Sequence, residues 1–364
     1  MMVRHFIKGY VNKMLYKRKA LRYINVAHRY LQTQALGDSS LTDDERCQID
    51  KLWGTLRVGL GDKTYDWHKF YKGFLGEFDA KYIPSDIYNP VFEYTLNDRR
   101  FSLYLQHKSM LRNFVKKENR IEAIVDLIDG VFYDDNLNIV SLSDAEEAIK
   151  TEQYPVIVKP SIGSGGGRAV EYFDKGVDVN LADYVGVGDF SFQKFFREGE
   201  DLKRFNPDTV NTIRMITLNL NGRCSVLSSF LRIGKGGMRI DNLSSGGMLV
   251  GINKDGYLAD YALDKNLNKF TQSPSGISFK GVRLSSYQTI VDYALQNHPH
   301  IPLAKLIAWD FTIDENGNPI VIEINLDSGE IQFHQIYNGP LFGDRLEEVV
   351  KYITTHPLKR FSTF

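Results

Sequence analysis

A lysine followed by a run of glycines lies near the middle of the chain. Lys159 ends the apolar, β-branched residues 154–159, which predict a strand, and residues 169–173 resume an extended pattern. An ammonium group beside bare backbone N–H groups forms a cradle for anions, above all for phosphates. The small residues that would form this cradle are Ser164, Gly165, Gly166 and Gly167. A flexible hairpin loop with a surface lysine is the alternative that this stretch alone leaves open.

The order of these parts separates the stretch from two common nucleotide-binding motifs. A P-loop places its lysine after the glycines and before a helix, whereas Lys159 precedes them and a strand follows. A Rossmann fingerprint needs a third glycine where this sequence has Arg168. The stretch therefore indicates a glycine-rich lid between two strands, with the lysine on the first strand.

A second polar set lies on a predicted hairpin, whose strands are residues 305–313 and 320–325 on either side of an Asn-Gly turn. Because strand side chains alternate between faces, Glu323 and Asn325 share one face, and Asp310 on the partner strand can stand beside them. The alternating apolar positions are expected to face the core: Ile322 and Ile324. Two carboxylates and a carboxamide suit Mg²⁺ that carries nucleotide phosphates. The alternative is a polar strand face in solvent.

Residues 189–196 predict a strand whose end could supply a pocket for a nucleotide base. Gln193 can hydrogen-bond an adenine amine. Phe195 or Phe196, at the end of the strand, can contact the ring face. Glu198 or Glu200 could accept the ribose hydroxyls. The alternative is a buried strand that ends at the surface.

Two arginines lie on another predicted hairpin, with strands over residues 210–220 and 223–233. Arginine binds carboxylate and phosphate through paired N–H groups, so Arg214 and Arg232 are candidates for one shared site. Either arginine could instead be a structural ion-pair partner. The glycine-rich loop after this hairpin adds positions at which bare backbone could approach a substrate: Asn242, Gly246 and Gly247.

The composition is typical of a globular protein of two or three domains. Among its 364 residues, 43% are hydrophobic and 25% are charged, and Lys+Arg and Asp+Glu both number 45. This balance does not point to nucleic acid as a partner. Cys47 and Cys224 match neither a disulfide scaffold nor a metal-site spacing, which favours a cytoplasmic location. No apolar run approaches about 20 residues, the length of a membrane-spanning helix.

The N-terminal region differs from the rest because no acidic residue precedes Asp38. Its eight basic residues are Arg4, Lys8, Lys13, Lys17, Arg18, Lys19, Arg22 and Arg29. Apolar residues recur at helical spacing and include Ile7, Val11, Met14, Leu15, Leu21 and Ile24. This pattern predicts a basic amphipathic helix. Such a helix could lie on an anionic membrane surface or pack on its own protein with a solvated basic face.

The elements that connect these motifs are predicted from local signals. Thr42 and Glu45 form a capping box for a helix over residues 41–60, and the aromatic-rich residues 62–96 predict a helical core. Residues 124–133 read as one short connecting strand. Residues 143–150 predict a helix that is capped by Ser143.

Taken in order, these motifs resemble the ATP-grasp superfamily over roughly residues 108–353. The composite of NTIRM, FLRIGKGGMRIDNLSSGGM, WDF, IEIN and GEIQFHQIYNGPLF looks most like the sugar-transfer-associated ATP-grasp family, found with bacterial capsule and cell-surface polysaccharide genes. The segment MRIDNLSSGG is also similar to glutamate ligases that modify protein tails. The resemblance implies an α+β ATP-grasp fold: a helical region over 1–100, a small subdomain with linker over 101–200, and a large subdomain with the metal site over 201–364.

The resemblance also implies roles for the candidate residues. Two lysines would bind the phosphates of ATP, Lys108 and Lys159, with Lys116 and Lys117 near the first. Mg²⁺ would be held by Asp310, Glu323 and Asn325. At the acyl phosphate the resemblance implies a role for Arg214 and Arg232.

These implications lead to an ATP-dependent carboxylate–amine or carboxylate–thiol ligase that acts through an acyl phosphate. Its substrates would be a small-molecule or glycan carboxylate and an amine, in polysaccharide biosynthesis. We expect a cytoplasmic enzyme with peripheral contact to the inner face of the membrane through the basic N-terminus. Two alternatives are a kinase that passes phosphate to a hydroxyl on a similar fold, and a non-catalytic nucleotide-binding adaptor at the membrane.

Overall fold

The computed structural model describes residues 2–57, 61–163, 169–236, 246–327 and 329–356, with side chains from Tyr16 onwards except that of Arg99. Within these ranges the chain is an α+β protein, as the sequence predicts, with a helical N-terminal region followed by two antiparallel sheets. No helix in the described part of the chain is long and apolar enough to span a membrane.

The helices and strands have the following bounds. The helices are α1 Met2–Thr33, α2 Asp43–Trp53, α3 Asp66–Leu75, α4 Ser85–Ile87, α5 Glu93–Leu96, α6 Arg99–Gln106, α7 Leu142–Lys150, α8 Glu200–Lys203, α9 Tyr287–Asn297, α10 Ile331–Asn338 and α11 Leu346–Thr355. The strands are β1 Ala123–Ile128, β2 Val131–Tyr133, β3 Ile139–Val140, β4 Val156–Pro160, β5 Glu171–Phe173, β6 Phe190–Lys194, β7 Thr212–Leu220, β8 Arg223–Ile233, β9 Met248–Ile252, β10 Leu258–Leu263, β11 Lys269–Phe270, β12 Leu306–Ile313 and β13 Pro319–Asn325.

The smaller sheet has an apolar face and a polar face. Among the described residues its strand order is β3-β2-β1-β6-β4-β5. One face, with Val158 and Phe192, is buried against α7. Ser191 on β6 pairs with Asp126 on β1 and with Lys159 on β4. Because paired residues of antiparallel strands project to the same side, these three polar side chains share the opposite face.

The larger sheet is built on the two predicted hairpins. Its strand order in the described chain is β11-β10-β9-β8-β7-β12-β13. The turn between β7 and β8 has φ of 52° at Asn221 and 78° at Gly222, the left-handed conformations that an Asn-Gly turn favours. One face, with Met215 and Trp309, packs against α9 in the largest apolar core. The other face carries Arg214 and the residues that pair with it.

Strand β13 contains a bulge that changes which side chains reach the core. Asp310 pairs with Glu323, but the next residue, Phe311, pairs with Val321, so Ile322 is the extra residue. The prediction that Ile322 faces the core is therefore wrong, because its side chain is half-buried and lines a cavity. The core side chains of this strand are Val321 and Ile324.

Helix α1 packs on its own protein over the part whose side chains are described. A buried stripe of Tyr16, Ala20, Ile24, Ala27 and Tyr30 faces the helical region. Lys19 donates to the carbonyl oxygen of Asn89 at 3.2 Å and lies 3.9 Å from the carboxylate of Glu93. Leu21 was predicted on the apolar stripe but is 38% exposed. The other predicted apolar side chains lie outside the described set: Ile7, Val11, Met14 and Leu15.

Two local predictions need correction and one is confirmed. The expected single strand over residues 124–133 is two strands, because Asp129 and Gly130 both have positive φ and turn the chain tightly. Helix α7 is capped by Ser141 and not by Ser143, since the Ser141 hydroxyl accepts the N–H of Asp144 at 3.1 Å. The capping box of α2 is present between Thr42 and Glu45.

Candidate functional site

The polar face of the smaller sheet opens onto the end of β13. Lys159, Ser191 and Gln193 project to this face, since Gln193 is two residues from Ser191 along β6. A cavity lies between this face and β13, and its lining includes Ser191, Gln193 and Ile322. The cavity is also lined by Arg112 and Arg120, which are not among the predicted site residues. The cavity thus joins the predicted base-binding strand to the predicted metal-binding strand.

Lys108 spans the two sheets. It begins a short 3-10 helix, Lys108–Asn113, and its Nζ lies 3.1 Å from a carboxylate oxygen of Glu323. Its backbone N–H donates to the carbonyl oxygen of Ser161 at 2.9 Å. The next residue, Ser109, donates from its hydroxyl to the buried carboxylate of Asp126 at 3.0 Å. These bonds anchor the lysine to the smaller sheet while its charge reaches the larger one.

Asp310 lies at the centre of the charged cluster on the larger sheet. Register places it opposite both Arg214 and Glu323. Nε and Nη2 of Arg214 both donate to the Asp310 carboxylate, the Nη2 bond being 2.8 Å, and Arg232 lies 3.5 Å from it. Asn325 approaches Asp310 at 3.4 Å and Glu323 at 3.3 Å. The structure therefore brings together all five residues that the sequence predicted at the metal and at the acyl phosphate.

The charges of this cluster fix its protonation at neutral pH. Burial raises the pKa of Asp310 to about 6 against the pull of Arg214 and Arg232. Burial also opposes ionisation of Glu323, but the ammonium group of Lys108 and the guanidinium of Arg214 outweigh it and hold the pKa of Glu323 well below its usual range. Burial and the neighbouring cations thus shift the two pKa values in opposite directions, and the negative charge that Glu323 holds is available to a cation.

The residues present fit a divalent cation that carries nucleotide phosphates. The described residues hold no cluster of three His, Cys, Asp or Glu side chains arranged for a metal. Mg²⁺ at a nucleotide, however, needs only one or two carboxylates plus phosphate oxygens and water. Glu323 and Asp310 supply the carboxylates, and each carboxylate keeps lone pairs beyond those that meet arginine or lysine. Asn325 adds an amide oxygen if its carboxamide turns over.

Of the predicted base-binding residues, Gln193 lines the cavity, and the others follow it along the chain after the end of β6. Gln193 is half-buried, and its Oε1 accepts no hydrogen bond from the described residues, which leaves it available to an amine donor. Phe195 is 45% exposed and Phe196 is half-buried. Glu200 is exposed at the start of α8. Glu198 instead is buried and accepts the N–H groups of Asn211 at 2.8 and 2.9 Å, which makes it structural.

Some predicted residues lie outside the described part of the chain, and one residue near Arg214 is not among the predicted site residues. Ser164, Gly165, Gly166, Gly167 and Asn242 lie outside the described residues. Glu330 was not selected, although it precedes α10 and its carboxylate lies 3.6 Å from Nη1 of Arg214. The acidic residue just ahead of the apolar run IQFHQI was the signal for it.

One family model matches part of the sequence. Residues 185–351 match the sugar-transfer associated ATP-grasp family. The matched segment includes Gln193 and the whole Asp310 cluster, while Lys108 and Lys159 precede it. The match confirms the resemblance to the ATP-grasp superfamily that the motifs predict. No curated protein matches the sequence.

Solved structures similar to the chain include several ATP-grasp enzymes. The D-alanyl-alanine synthetase A of Vibrio cholerae aligns with 70% of this chain and 65% of its own length, at 12% identity and a TM-score of 0.42. The D-alanine–D-alanine ligase of Bacillus anthracis aligns over 70% of both chains, at 11% identity and a TM-score of 0.39. The biotin carboxylase domain of Hydrogenobacter thermophilus 2-oxoglutarate carboxylase covers 87% of this chain and 58% of its own, at 15% identity and a TM-score of 0.44.

Proposed function

We propose that this protein is an ATP-dependent ligase that joins a carboxylate to an amine through an acyl phosphate. The observation that carries the proposal is the charged cluster: Lys108, Arg214 and Arg232 converge on Asp310 and Glu323 at the edge of the cavity. In a chain whose residues 185–351 match an ATP-grasp family, such a cluster suits the transfer of a phosphoryl group. Positive charge and fixed geometry supply most of the catalysis of such transfers.

The first step activates the carboxylate. A carboxylate oxygen of the substrate attacks the γ-phosphorus of ATP, the bond from that phosphorus to the β–γ bridging oxygen breaks, and ADP leaves. Lys108 and Lys159 would bind the phosphate oxygens. Gln193, with Phe195 or Phe196, would hold the adenine, and Glu200 would accept the ribose hydroxyls. Lys108 can exchange its partner from Glu323 to phosphate because both are anionic and near.

Mg²⁺ would neutralise charge on the phosphates when it is bound with ATP. The residues that would hold it are Asp310, Glu323 and Asn325, the set whose oxygen chemistry fits a hard cation. Arg214 stays paired with Asp310 in this arrangement and so fixes the carboxylate that faces the cation.

The second step forms the product bond. The amine nitrogen attacks the acyl carbon, the bond from that carbon to the phosphate oxygen breaks, and the departing phosphate takes the proton that the nitrogen loses. Arg214 and Arg232 would stabilise the negative charge of the tetrahedral intermediate. Removal of one such donor typically costs about 10²–10³ in rate.

The substrate class is proposed from the family description alone. A family named for its association with sugar transfer suggests a uronic acid or similar carboxylate of a surface glycan, joined to an amino acid. We further propose a cytoplasmic enzyme that meets anionic membrane through α1.

Trapping with hydroxylamine tests the proposed chemistry. The protein, MgATP and hydroxylamine are incubated with a pool of glucuronic acid, galacturonic acid and the common amino acids, and hydroxamate and ADP are measured. A ligase yields hydroxamate in step with ADP. A kinase yields ADP and a phosphorylated hydroxyl compound without hydroxamate, and a non-catalytic adaptor yields neither.

A further inference from the structure

We propose that Glu330 binds the amino group of the incoming nucleophile and thereby selects an amine over other nucleophiles. This inference rests on the proposed ligase function and assigns the second substrate to a residue that the metal and phosphate roles leave unused. Glu330 immediately precedes α10, on the side of the charged cluster that faces away from Lys108.

The position of α10 brings Glu330 to the acyl-transfer side of the site. The helix lies across the face of the larger sheet that carries Arg214 and Asp310. His334, one turn into the helix, stacks on Phe230 with ring centroids 4.3 Å apart, and Phe230 pairs directly with Arg214. The Glu330 carboxylate lies 3.6 Å from Nη1 of Arg214, whereas the other nitrogens of that guanidinium meet Asp310.

One carboxylate oxygen of Glu330 has no hydrogen-bond donor among the described residues. Its Oε2 is buried, yet it accepts no hydrogen bond from the described residues, and the distance to Arg214 is longer than a hydrogen bond. The side chain as a whole is 26% exposed, so part of it other than Oε2 faces solvent. An ionised carboxylate accepts several hydrogen bonds, and a charged donor such as an ammonium group satisfies it best.

A second polar atom without a hydrogen bond from the described residues lies in α10 itself. His334 is fully buried, four residues after Glu330, and its Nε2 has no hydrogen-bond partner among the described residues. Its Nδ1 lies 2.9 Å from the hydroxyl of Ser228, which also accepts from Asn338. The Ser228 hydroxyl can therefore donate its hydrogen to Nδ1. The ring proton of neutral His334 then lies on Nε2, which makes Nε2 a donor. An acid and a neutral donor together suit a nucleophile with both an amino group and an oxygen, such as an amino acid.

The charge of the cluster agrees with this assignment. Lys108, Arg214 and Arg232 face three carboxylates: Asp310, Glu323 and Glu330. ATP and its cation engage Lys108 and the first two carboxylates in the proposed mechanism. Glu330 is then the carboxylate of this cluster to which the proposed mechanism gives no cation or phosphate role, so it can accept the ammonium group of a nucleophile.

The test compares two halves of the reaction in Glu330→Gln. Hydroxylamine at saturating concentration is uncharged at neutral pH and reports acyl phosphate formation. The amino acid that the wild type accepts from the pool reports full ligation, and 2-mercaptoethanol reports attack by a nucleophile without an amino group. The matched control is Glu347→Gln, the same change at an exposed position in the first turn of α11.

We expect Glu330→Gln to raise the KM for the amino acid at least about tenfold, the scale of a charge-assisted hydrogen bond, while hydroxamate formation stays within about twofold of wild type. Attack by the thiol should also be unchanged, and Glu330→Asp, which keeps the charge, should raise the KM less. Melting temperatures confirm that each variant is folded.

Two results would overturn the assignment. An equal fall in hydroxamate formation and ligation would mean that Glu330 only holds Arg214 in place. An unchanged KM for the amino acid would mean that the amine binds elsewhere. A wild type that makes no hydroxamate from any carboxylate defeats the ligase proposal itself, which is a different and separable outcome.

Discussion

Glu323 forms a salt bridge with Lys108 in this structure and would bind a cation during the proposed reaction. Its salt bridge to Lys108 joins a residue of the larger sheet to a lysine anchored on the smaller one. Bound ATP would bring phosphates to Lys108 and a divalent cation to Glu323. Each of these carries more opposite charge than the salt-bridge partner that it replaces. The salt bridge therefore holds the cluster together before the nucleotide binds, and the same two side chains then face cation and phosphate.

Glu323→Gln keeps the size of the side chain and removes its charge. We expect the variant to fold and to bind adenosine, but to lose ATP turnover at least about a hundredfold, the scale of one lost electrostatic stabiliser. ADP release and melting temperature are the measurements. Glu315→Gln is the control, because Glu315 is exposed in the turn of the same hairpin. Wild-type turnover by Glu323→Gln would show that the cation is held elsewhere.

Asp86, which lies outside the candidate site, leads to a prediction about how stability depends on pH. It is buried in the helical region, and burial raises the pKa of Asp86 from its ordinary 3.8 to about 7 despite the nearby Arg57. The folded state thus keeps a proton that the unfolded chain has lost, so stability falls as pH rises through 7. Between pH 6 and pH 8 this group alone removes about 1.4 kcal/mol.

Urea denaturation at both pH values measures that loss. Wild type should lose about 1.4 kcal/mol more between pH 6 and pH 8 than Asp86→Asn, which cannot titrate. The difference between the two proteins removes the contributions of all other groups, including the buried histidines. Parallel losses would show that Asp86 is already ionised throughout this range, whereas a difference of about 2.7 kcal/mol would show that it stays protonated in the folded state.

At the scale of elements, the bulge in β13 decides which isoleucine stabilises the fold. Ile324 is 2% exposed in the largest core, whereas Ile322 lines the cavity beside Gln193. Ile324→Ala should therefore lower the free energy of unfolding by roughly 2–5 kcal/mol. Ile322→Ala should cost less stability and weaken ATP binding more. Denaturation and ATP titration of both variants test this, and equal stability losses would argue against the bulge.

The elements also show what the sequence could and could not predict. The hairpins β7–β8 and β12–β13 follow from Asn-Gly turns and alternation, which are local signals. Strict alternation cannot reveal an inserted residue, so Ile322 was placed in the core wrongly. Glu330 and the partner of Lys108 depend on contacts between segments far apart in the chain, which no local pattern encodes.

Helix α1 offers a surface whose partner can be tested. Its described outer face exposes Lys17, Arg18, Arg22 and Arg29 beside the partly exposed Leu21. We expect weak binding to vesicles that contain anionic lipid, lost at high salt because exposed charges are screened over about 8 Å at physiological ionic strength. Substitution of the three arginines by Gln leaves the buried stripe intact, unlike removal of the helix.

Vesicle sedimentation compares this triple variant with a control in which Lys254, Lys280 and Lys351, exposed elsewhere, become Gln. The control matches the change in net charge. Loss of binding in the arginine variant alone would support contact through α1, and equal binding by both variants would refute it.

At the scale of the whole molecule, the two sheets present complementary halves of one site. The smaller sheet contributes Lys159 and Gln193 from its polar face, and the larger sheet contributes Glu323 and Asp310. Lys108 connects the halves, and the lid residues follow Lys159 in sequence. A nucleotide that touches both halves should stabilise the folded protein more than a ligand that touches only one.

ATP is a ligand expected to contact both halves of the site, and adenosine is one expected to contact only the half that holds the base. A ligand at 100 times its Kd stabilises the folded state by about 2.7 kcal/mol, which a shift in melting temperature reports. MgATP should raise the melting temperature of wild type, and Lys159→Ala should lose most of this rise because the lysine meets phosphate. Adenosine contacts the base pocket alone, so its Kd by isothermal titration should be nearly equal in both proteins. Lys175→Ala, an exposed lysine beyond β5, is the control. If Lys159→Ala weakens ATP and adenosine equally, the substitution has disturbed the smaller sheet, and Lys159 does not contact the phosphates.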